Sequence, residues 1–432
     1  MELNFHNFEQ HLVKNFCISK LKTVAIAVSG GVDSMCLAFL LNKICKRNNI
    51  IFTAITVDHK LRKDSTFEAN EVARYLKNQH INHVILTWQH EIIKSDIQNK
   101  ARQARYKLIC DYCKDHNIEN LFVAHTYDDQ AETVFLRILR GSGIDGISGI
   151  EFKTKINEIN IIRPFLQFRK SQILSFMIDQ NIFWLEDKSN KEVKFDRVKV
   201  RNLISECDKD FKFTQRLNLL SENARRARNF FESYLKEIFE KYCTIGDLGF
   251  ISISKTNFID QHEEIKLRLI NYIIKYVKND FNHYPIRIEQ LKYISGNLNN
   301  LDQQKFTING CIILLNQGVI YFYKEPKFIE SIKILKKGKS IWDGRYIIET
   351  DSENLEICKL TKEKWSEIRP KNYTHSVPGD MIFSTPIIFS KSKNLYILPL
   401  SNIIYSLNNN NSHNLQITVT HILSETCFEI NY

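Results

Sequence analysis

The sequence predicts an α/β fold, in which a doubly wound parallel sheet forms an N-terminal domain and is followed by a helical domain and a small α+β C-terminal domain. Two stretches carry this prediction. Residues 24–28 form an apolar run that stops at a glycine-containing turn, residues 29–34, and continues as a helical stretch. Residues 50–57 form an almost continuous β-branched run, which is typical of a parallel strand buried on both faces.

Hydrophobic periodicity predicts the other elements of this Rossmann-like domain, in which strand and helix alternate. We predict helices over residues 5–18, 65–80, 100–115 and 128–140, and strands over residues 84–88 and 121–124. Parallel strands present their carboxyl ends at one edge of the sheet, where such folds bind ligands. The glycine turn, Asp58 and His125 are therefore expected to lie together at that edge.

The character of the chain changes at about residue 208. Residues 217–242 have apolar side chains at three- and four-residue spacing and predict a long helix. We predict further helices over residues 262–278 and 286–296, a hairpin around Gln317 and Gly318, and strands over residues 346–349, 386–390 and 395–398. The predicted domains are residues 1–207, 208–327 and 328–432.

Two polar segments have no clear periodicity. Residues 185–190 and 195–202 are polar and basic, and we interpret them as a substrate-facing loop. Arg225, Arg226 and Arg228 fall within one turn of the long helix. They are either a solvated face or a contact with a nucleic-acid backbone, and the sequence favours neither.

Composition restricts the class of protein. The chain has 432 residues and a formal net charge of +11, which suggests a polyanionic partner and favours RNA. Its cysteines are scattered, and the one CxxC pair, Cys110 and Cys113, falls in a predicted helix, so neither a disulfide framework nor a zinc site is expected. No apolar stretch approaches the roughly 20 residues of a membrane span, and we expect a cytoplasmic protein without a membrane partner.

The glycine turn has the composition of a phosphate site. Gly30 and Gly31 allow the backbone to pass close to an anion, and the helix that follows offers unpaired N–H groups and a positive dipole end. The turn lacks the Lys-Ser/Thr pair of the P-loop and the longer GxGxxG pattern. The alternative is an ordinary strand-to-helix turn with a serine cap.

Residues 125–133 form a second informative stretch. Asp129 and Glu132 lie three residues apart and are expected to share a helical face, next to His125 at the end of a strand. Acids in a first helical turn often only complement the helix dipole. Their position after a buried strand, in the same sheet as the glycine turn, favours a functional role.

The glycine turn resembles the SGGxDS loop of the N-type ATP pyrophosphatases, the PP-loop superfamily. The chain as a whole resembles the tRNA(Ile)-lysidine synthases more closely. The specific matches, within residues 20–205, are residues 29–34, 58–59, 101–106, 124–133, 140–143, 163–164, 186–187, 189–190 and 196–197. Beyond residue 205 the resemblance is architectural, and residues 359–378 depart from the family's lysine-rich block.

The resemblance implies an ATP-dependent ligase with Mg²⁺. Its partners would be free L-lysine and the tRNA(Ile) with a CAU anticodon. The family's reaction joins lysine to C2 of the wobble cytidine through an adenylated tRNA, releasing pyrophosphate and AMP and switching decoding from AUG to AUA. The oligomeric state stays open, and a homodimer is compatible with the sequence.

The resemblance also assigns roles by motif position. The residues assigned to the ATP phosphates are Ser29, Gly30, Gly31, Val32, Asp33 and Ser34, with Asp33 as the Mg²⁺ contact. Asp129 and Glu132 are assigned to lysine and metal, without deciding which carboxylate takes which. His125 would orient the adenylated base, and Arg105 and Arg201 would neutralise phosphate or the intermediate.

Two alternatives stay open at this stage. An ATP-dependent tRNA thiolase of the same fold would need a reactive cysteine or separated CxxC pairs near residues 128–133. A basic RNA-binding module without catalysis would not need the glycine turn and the two carboxylates together.

Overall fold

The structure is a computed structural model. It describes residues 2–16, 18, 21–62, 64–91, 95–186, 196–246, 248–279, 286–300, 303–330, 332–353, 355–369, 378–390, 395–398, 403–406, 416–421 and 427–431. The chain forms two compact units, Met1–Asn229 and Phe230–Tyr432. The division into three domains stays a prediction. In the described part of the chain, no helix has the length and apolar character needed to cross a membrane.

The N-terminal part of the chain alternates strand and helix as predicted. Its helices are α1 (Phe5–Asn15), α2 (Val32–Arg47), α3 (Ser65–Asn78), α4 (Ile97–Asp115), α5 (Tyr127–Leu139), α6 (Ile144–Ile147), α7 (Lys170–Asp179), α8 (Asp196–Phe211) and α9 (Phe213–Tyr242). Its strands are β1 (Thr23–Ala27), β2 (Ile51–Asp58), β3 (Asn82–Thr87), β4 (Asn120–Phe122), β5 (Lys153–Ile156) and β6 (Ile159–Ile162).

These strands form one six-stranded sheet in the order β3-β2-β1-β4-β6-β5. The pairs are parallel except for the β5–β6 hairpin at the edge, which the sequence did not predict. The strand order reverses between β1 and β4, so that their carboxyl ends border the crevice where such sheets bind ligands. The predicted doubly wound fold is confirmed.

The parallel strands are buried because helices cover both faces of the sheet. Val24 and Ile26 of β1 point into a core with Phe8 and Leu40, on one face. Ala25 joins a second cluster with α4 on the other face. Because both faces of the sheet are covered, the sequence of such a strand is continuously apolar rather than alternating between apolar and polar residues.

Helix α8 corrects one prediction. Residues 195–202 were expected in a loop, but α8 begins at Asp196. Its buried residues Val200 and Ile204 pack with Val134 of α5. Val200 and Ile204 lie four residues apart and are buried, whereas Leu203 and Phe211 are exposed, so the apolar residues of this helix follow no clear periodicity. Residues 187–190 of the other predicted loop segment lie outside the described residues.

The second unit contains antiparallel sheets together with helices. Its helices after α9 are α10 (Lys255–Ile259), α11 (Glu263–Lys278), α12 (Ile288–Asn300) and α13 (Lys362–Ile368). Its strands are β7 (Cys243–Ile245), β8 (Ile251–Ser254), β9 (Gln304–Ile308), β10 (Cys311–Asn316), β11 (Val319–Lys324), β12 (Lys333–Leu335), β13 (Gly338–Trp342), β14 (Tyr346–Thr350), β15 (Leu355–Lys359), β16 (Pro386–Ser390), β17 (Leu395–Leu398), β18 (Ile403–Ser406), β19 (Gln416–His421) and β20 (Cys427–Asn431).

These strands form three sheets, β7-β8-β11-β10-β9, β12-β15-β16-β17-β18 and β13-β14-β19-β20. The predicted hairpin joins β10 to β11. Gln317 and Gly318 both have positive φ angles, 50° and 74°, as a tight two-residue hairpin turn requires. The middle of the chain thus has the predicted helices and, in addition, a sheet larger than the predicted hairpin.

Candidate active site

The glycine turn connects β1 to α2 and is shaped by serine hydroxyls. The Ser34 hydroxyl accepts a hydrogen bond from the Ser29 N–H at 3.2 Å and donates one to the Gly31 carbonyl at 3.0 Å. Gly31 is the N-cap of α2, and the helical ladder starts with the Met35 N–H bonded to the Gly31 carbonyl. The amides of the intervening residues therefore lie at the helix start, where an anion binds well.

The constraints on the two glycine positions of the turn differ. Gly30 has φ +86°, and a Cβ there would lie 2.8 Å from Val72 Cγ2 and 3.1 Å from Leu185 Cδ1. A Cβ on Gly31 would meet nothing closer than the Ser29 hydroxyl at 3.8 Å. Close packing and backbone conformation explain Gly30, so the expectation that both glycines clear the way for an anion fits only Gly31.

Asp33 has an unsatisfied carboxylate. Its Oδ1 atom is buried and has no hydrogen-bond partner among the described residues. Burial raises its pKa from the ordinary value of 3.8 to about 6, against the opposing charge of Lys170 and with a smaller contribution from Asp129. A buried carboxylate oxygen with a free lone pair fits a hard cation such as Mg²⁺, which takes one or two protein carboxylates and completes its shell with phosphate oxygens and water.

Helix α5 begins with a capping box that uses one oxygen of Asp129. Asp129 Oδ2 accepts hydrogen bonds from the Thr126 N–H at 2.9 Å and the Thr126 hydroxyl at 3.0 Å. The interpretation that this acid stabilises the start of the helix therefore accounts for the Oδ2 atom of Asp129. The other oxygen, Oδ1, accepts a hydrogen bond from the Lys170 ammonium at 2.8 Å.

Glu132 lies one turn further along the same face. Its Oε1 atom accepts a hydrogen bond from Arg201 Nε at 2.7 Å and lies 3.8 Å from Lys170 Nζ. Asp129 and Glu132 therefore share a helical face, with one ammonium between them. We call Asp33, Asp129, Glu132, Lys170 and Arg201 the site cluster.

The ionic pairing in the site cluster keeps its charges. Burial disfavours the Lys170 ammonium, but Asp129 and Glu132 outweigh this effect and raise its pKa. Burial likewise opposes ionisation of Asp129, and the Lys170 charge and hydrogen bond still hold its pKa below the ordinary value. The hydrogen bond that Arg201 donates to Glu132 raises the pKa of Arg201. At neutral pH these three groups are ionised.

His125 and Arg105 form the other side of the site. Burial lowers the pKa of His125 to about 3, although Asp129 favours its charged form, and its Nδ1 atom is buried without a partner in the described residues. Arg105 has its pKa lowered by burial and by the charges of Arg102 and Arg197, and its guanidinium lies 5.7 Å from the Tyr106 ring centroid. A neutral imidazole thus lies within electrostatic reach of Arg163, Arg102 and Arg105.

Asp58 has a local role. Its carboxylate accepts hydrogen bonds from the Lys60 N–H at 3.0 Å, the Ser65 hydroxyl at 2.8 Å and the Thr66 hydroxyl at 2.6 Å. These bonds hold the start of α3 against the end of β2. The sequence placed Asp58 correctly at the carboxyl edge, and its side chain is engaged there by its own chain.

The structure also contains a site residue that the sequence did not single out. Lys170 is the first residue of α7, and its own N–H donates to Asp128 Oδ2 at 2.7 Å. It lies 41 residues beyond Asp129 in the chain. Its nearness to the matched pair Arg163 and Pro164 was the one available signal, because a single lysine at a helix start has no distinctive pattern.

The arginines of α9 are largely engaged within the first unit. Arg225 donates to the carbonyls of Ser148 and Ile150 at 3.0 and 3.1 Å. Arg228 forms an ion pair with Glu151 at 2.6 Å. Neither a solvated face nor a free nucleic-acid contact describes these two side chains. Arg226 is exposed, and its contact with a nucleic acid stays a prediction.

Comparisons with known proteins show which family the chain resembles. Residues 1–207 match the family model of the PP-loop domain. The tRNA(Ile)-lysidine synthase of Wolbachia pipientis wMel is 33% identical over 93% of this chain and 94% of its own length. The chain belongs to the tRNA(Ile)-lysidine synthase family.

Other relatives extend the comparison. The tRNA(Ile)-lysidine synthase of Rickettsia felis is 31% identical over 90% of each chain. A solved structure, the U34-tRNA thiolase NcsA from Methanococcus maripaludis with its [4Fe-4S] cluster, has a TM-score of 0.45 and 17% identity over 51% of this chain and 78% of that chain. The family membership makes this chain an enzyme, a tRNA-modifying ligase with an ATP-binding PP-loop domain.

Proposed function

We propose that this enzyme joins free L-lysine to C2 of the wobble cytidine in a tRNA(Ile) with a CAU anticodon, in the cytoplasm. The tRNA is first adenylated by ATP, and lysine then displaces AMP. One observation supports this most strongly: a strand-to-helix glycine turn and a pair of carboxylates that already hold an ammonium belong to one electrostatically connected site.

The first step needs charge stabilisation at the α-phosphate. The amides at the start of α2 would bind the phosphates, within the turn formed by Ser29, Gly30, Gly31, Val32, Asp33 and Ser34. Asp33 would hold Mg²⁺ through its unpartnered Oδ1. The ion supplies positive charge for the pyrophosphate that leaves. Arg201, whose charge acts on Asp33, and Arg105 would neutralise phosphate or the adenylated intermediate.

The second step needs lysine to be held as a cation and to attack as a neutral amine. Asp129 and Glu132 are suited to bind an ammonium, since both already approach one in the free enzyme. His125 is neutral at physiological pH because burial lowers its pKa to about 3, so it can orient a base by hydrogen bonding without adding charge.

The thiolase alternative finds little support in the cysteines that the structure describes. Cys110 and Cys113 are buried on α4, and burial raises the pKa of these thiols to about 11 and about 12. Cys36, three residues after Asp33, is also buried with a raised pKa. A thiol with a raised pKa is a poor nucleophile at neutral pH.

The deciding experiment is incorporation of labelled lysine into a CAU-anticodon tRNA in the presence of ATP and Mg²⁺. We expect one lysine per tRNA, with release of AMP and pyrophosphate. The matched control is the same tRNA with uridine in place of the wobble cytidine, which should accept none. Sulfur incorporation would favour the thiolase, and tRNA binding without pyrophosphate release would favour the RNA-binding module.

A further inference from the structure

The free enzyme already fills its carboxylate pair with a cation of its own. The Lys170 ammonium is 2.8 Å from Asp129 Oδ1 and 3.8 Å from Glu132 Oε1. Its side chain is 31% exposed, whereas that of Glu132 is 4% exposed. Lys170 is thus the most exposed of the three side chains, since that of Asp129 is 16% exposed.

This arrangement conflicts with lysine binding as long as Lys170 stays in place. A substrate ammonium needs the same carboxylate oxygens, and two ammonium groups at hydrogen-bond distance from one carboxylate pair repel each other. Arg201 also forms an ion pair with Glu132, with 2.7 Å between Nε and Oε1. The nucleotide-free enzyme therefore offers little unpaired negative charge to a lysine molecule.

Lys170 also acts on the phosphate side of the site. Its charge is the largest electrostatic influence that favours ionisation of Asp33, the residue next to the phosphate-binding amides. The backbone of Lys170 is fixed by the hydrogen bond from its N–H to Asp128. The four-carbon side chain above this fixed backbone can therefore change partner without movement of α7, and the phosphates of ATP are a more strongly anionic partner than one carboxylate.

We propose that Lys170 closes the lysine site until ATP binds: its ammonium leaves Asp129 and Glu132 for the nucleotide phosphates, and the emptied carboxylate pair then accepts the substrate ammonium. The inference rests on the proposed function. The exchange of ion pairs makes lysine binding follow ATP binding. It also keeps other amines away from the carboxylates while no activated tRNA can form.

The exchange has a thermodynamic consequence. If ATP removes the competitor of lysine, the nucleotide raises the affinity for lysine, and by linkage lysine raises the affinity for the nucleotide by the same factor. Without Lys170 no ammonium of the enzyme competes with lysine for Asp129 at any stage, Arg201 stays paired with Glu132, and this coupling disappears.

The test measures lysine binding by calorimetry with the full chain, with and without Mg²⁺ and α,β-methylene-ATP, whose α–β linkage resists cleavage. We expect wild type to bind lysine about tenfold more tightly or better when the analogue is present, within the usual range of such couplings. Lys170→Gln should bind lysine without the analogue as tightly as wild type does with it. The matched control is Arg169→Gln, which removes the neighbouring cation, 4.0 Å from Asp208 in the first unit, and should keep the coupling.

Two results would overturn the inference: equal lysine affinity of wild type with and without the analogue, or coupling that persists in Lys170→Gln. If that variant does not fold, Lys170→Arg provides the decision. Its guanidinium holds two carboxylates more firmly, so lysine binding without the analogue should be weaker than in wild type. Unchanged binding would count against the exchange.

The labelled-lysine assay separates this inference from the proposed function. Normal lysine incorporation without coupling would remove only the role of Lys170. Absence of incorporation by the wild-type enzyme would remove the proposed function itself.

Discussion

The first and second units each bury a group of charged side chains, and the two groups are built differently. In the second unit, Asp343 accepts from Lys324 Nζ through Oδ1 and from Arg345 Nε through Oδ2, both at 2.7 Å. The three side chains are 3%, 10% and 0% exposed. In the site cluster, the cations Lys170 and Arg201 are 31% and 40% exposed.

The carboxylates differ in the same sense. Both oxygens of Asp343 have partners, and Oδ1 accepts an additional bond from the Glu330 N–H at 2.9 Å. Asp33 in the site cluster keeps a buried oxygen without a partner. Removing the paired carboxylate of Asp343 would leave two buried cations uncompensated, whereas the partly exposed cations and the unsatisfied carboxylate of the site cluster leave room for ligands.

The largest effect on stability should come from breaking the buried ion group formed by Asp343, Lys324 and Arg345. Asp343→Asn leaves Lys324 and Arg345 buried without their carboxylate, and we expect it to lower the free energy of unfolding by about 3–5 kcal/mol. Urea denaturation measures this. The matched control is Asp380→Asn, which breaks an exposed 2.8 Å pair with Lys305 and should change the free energy by less than about 1 kcal/mol. Similar results for the two variants would remove the distinction between the groups.

In the site cluster, replacing Asp33 by asparagine should affect chemistry and stability in opposite directions. Asp33→Asn should reduce pyrophosphate release with cognate tRNA by about a hundredfold or more, since it removes the anionic oxygen proposed for Mg²⁺. The raised pKa of Asp33, about 6, shows that burial penalises its charge, so the variant should be more stable at pH 7 by up to about 3 kcal/mol. Undiminished turnover would contradict the phosphate-site assignment.

Glu132→Gln tests which of the two half-reactions depends on this residue of the site cluster. If Glu132 serves lysine, adenylated tRNA should form and accumulate, and the lysine step should slow by about 10–100-fold through loss of a charged hydrogen-bond acceptor. Quenched samples analysed for adenylated and lysine-modified tRNA measure both steps. High lysine should restore part of the second step if only binding is lost.

The alternatives for Glu132 give different outcomes. Failure of both steps would indicate a metal ligand for adenylation. No change in either step would mean that its carboxylate only complements the helix dipole and its partner Arg201.

The smallest predicted effect is a pH dependence of the nucleotide-free enzyme. The pKa of Asp33 is about 6 in the folded chain and 3.8 when unperturbed, so the folded state takes up this proton first as the pH falls. The stability that the protonated carboxyl contributes is complete below pH 3.8 and is lost as the pH rises through about 6.

The wild type and Asp33→Asn should therefore converge. The advantage of the variant in thermal unfolding at pH 7 should fall to roughly half at about pH 5 and approach zero only as the pH falls below 3.8, where the unfolded chain is protonated as well. Subtracting the two curves removes the contribution of titrating groups that do not interact with Asp33, whereas Asp129, which does interact with it, has a lowered pKa that acts in the opposite direction. A difference that does not vary with pH would show that burial does not penalise the Asp33 charge.

Most elements that frame the site could be predicted from local sequence patterns, although α8 and the β5–β6 hairpin could not. The β-branched run of β2, the turn at Gly30 and Gly31, and the carboxylates Asp129 and Glu132 are local patterns, since backbone conformation and side-chain periodicity repeat within a few residues. The structure pairs β1 with β4, so that their carboxyl ends lie side by side. The roles assigned to these side chains stay predictions.

Which charged side chains meet depends on the packing of segments that are distant in the sequence. Lys170 reaches Asp129 across 41 residues of sequence, and Arg201 reaches Glu132 across 69. Arg225 turns inward to the Ser148 carbonyl, 77 residues away, although its sequence neighbours suggest a basic surface. A pairing of this kind has no period and no local signature, because its free energy depends on distance and burial in the folded chain, and these exist only once the helices have packed.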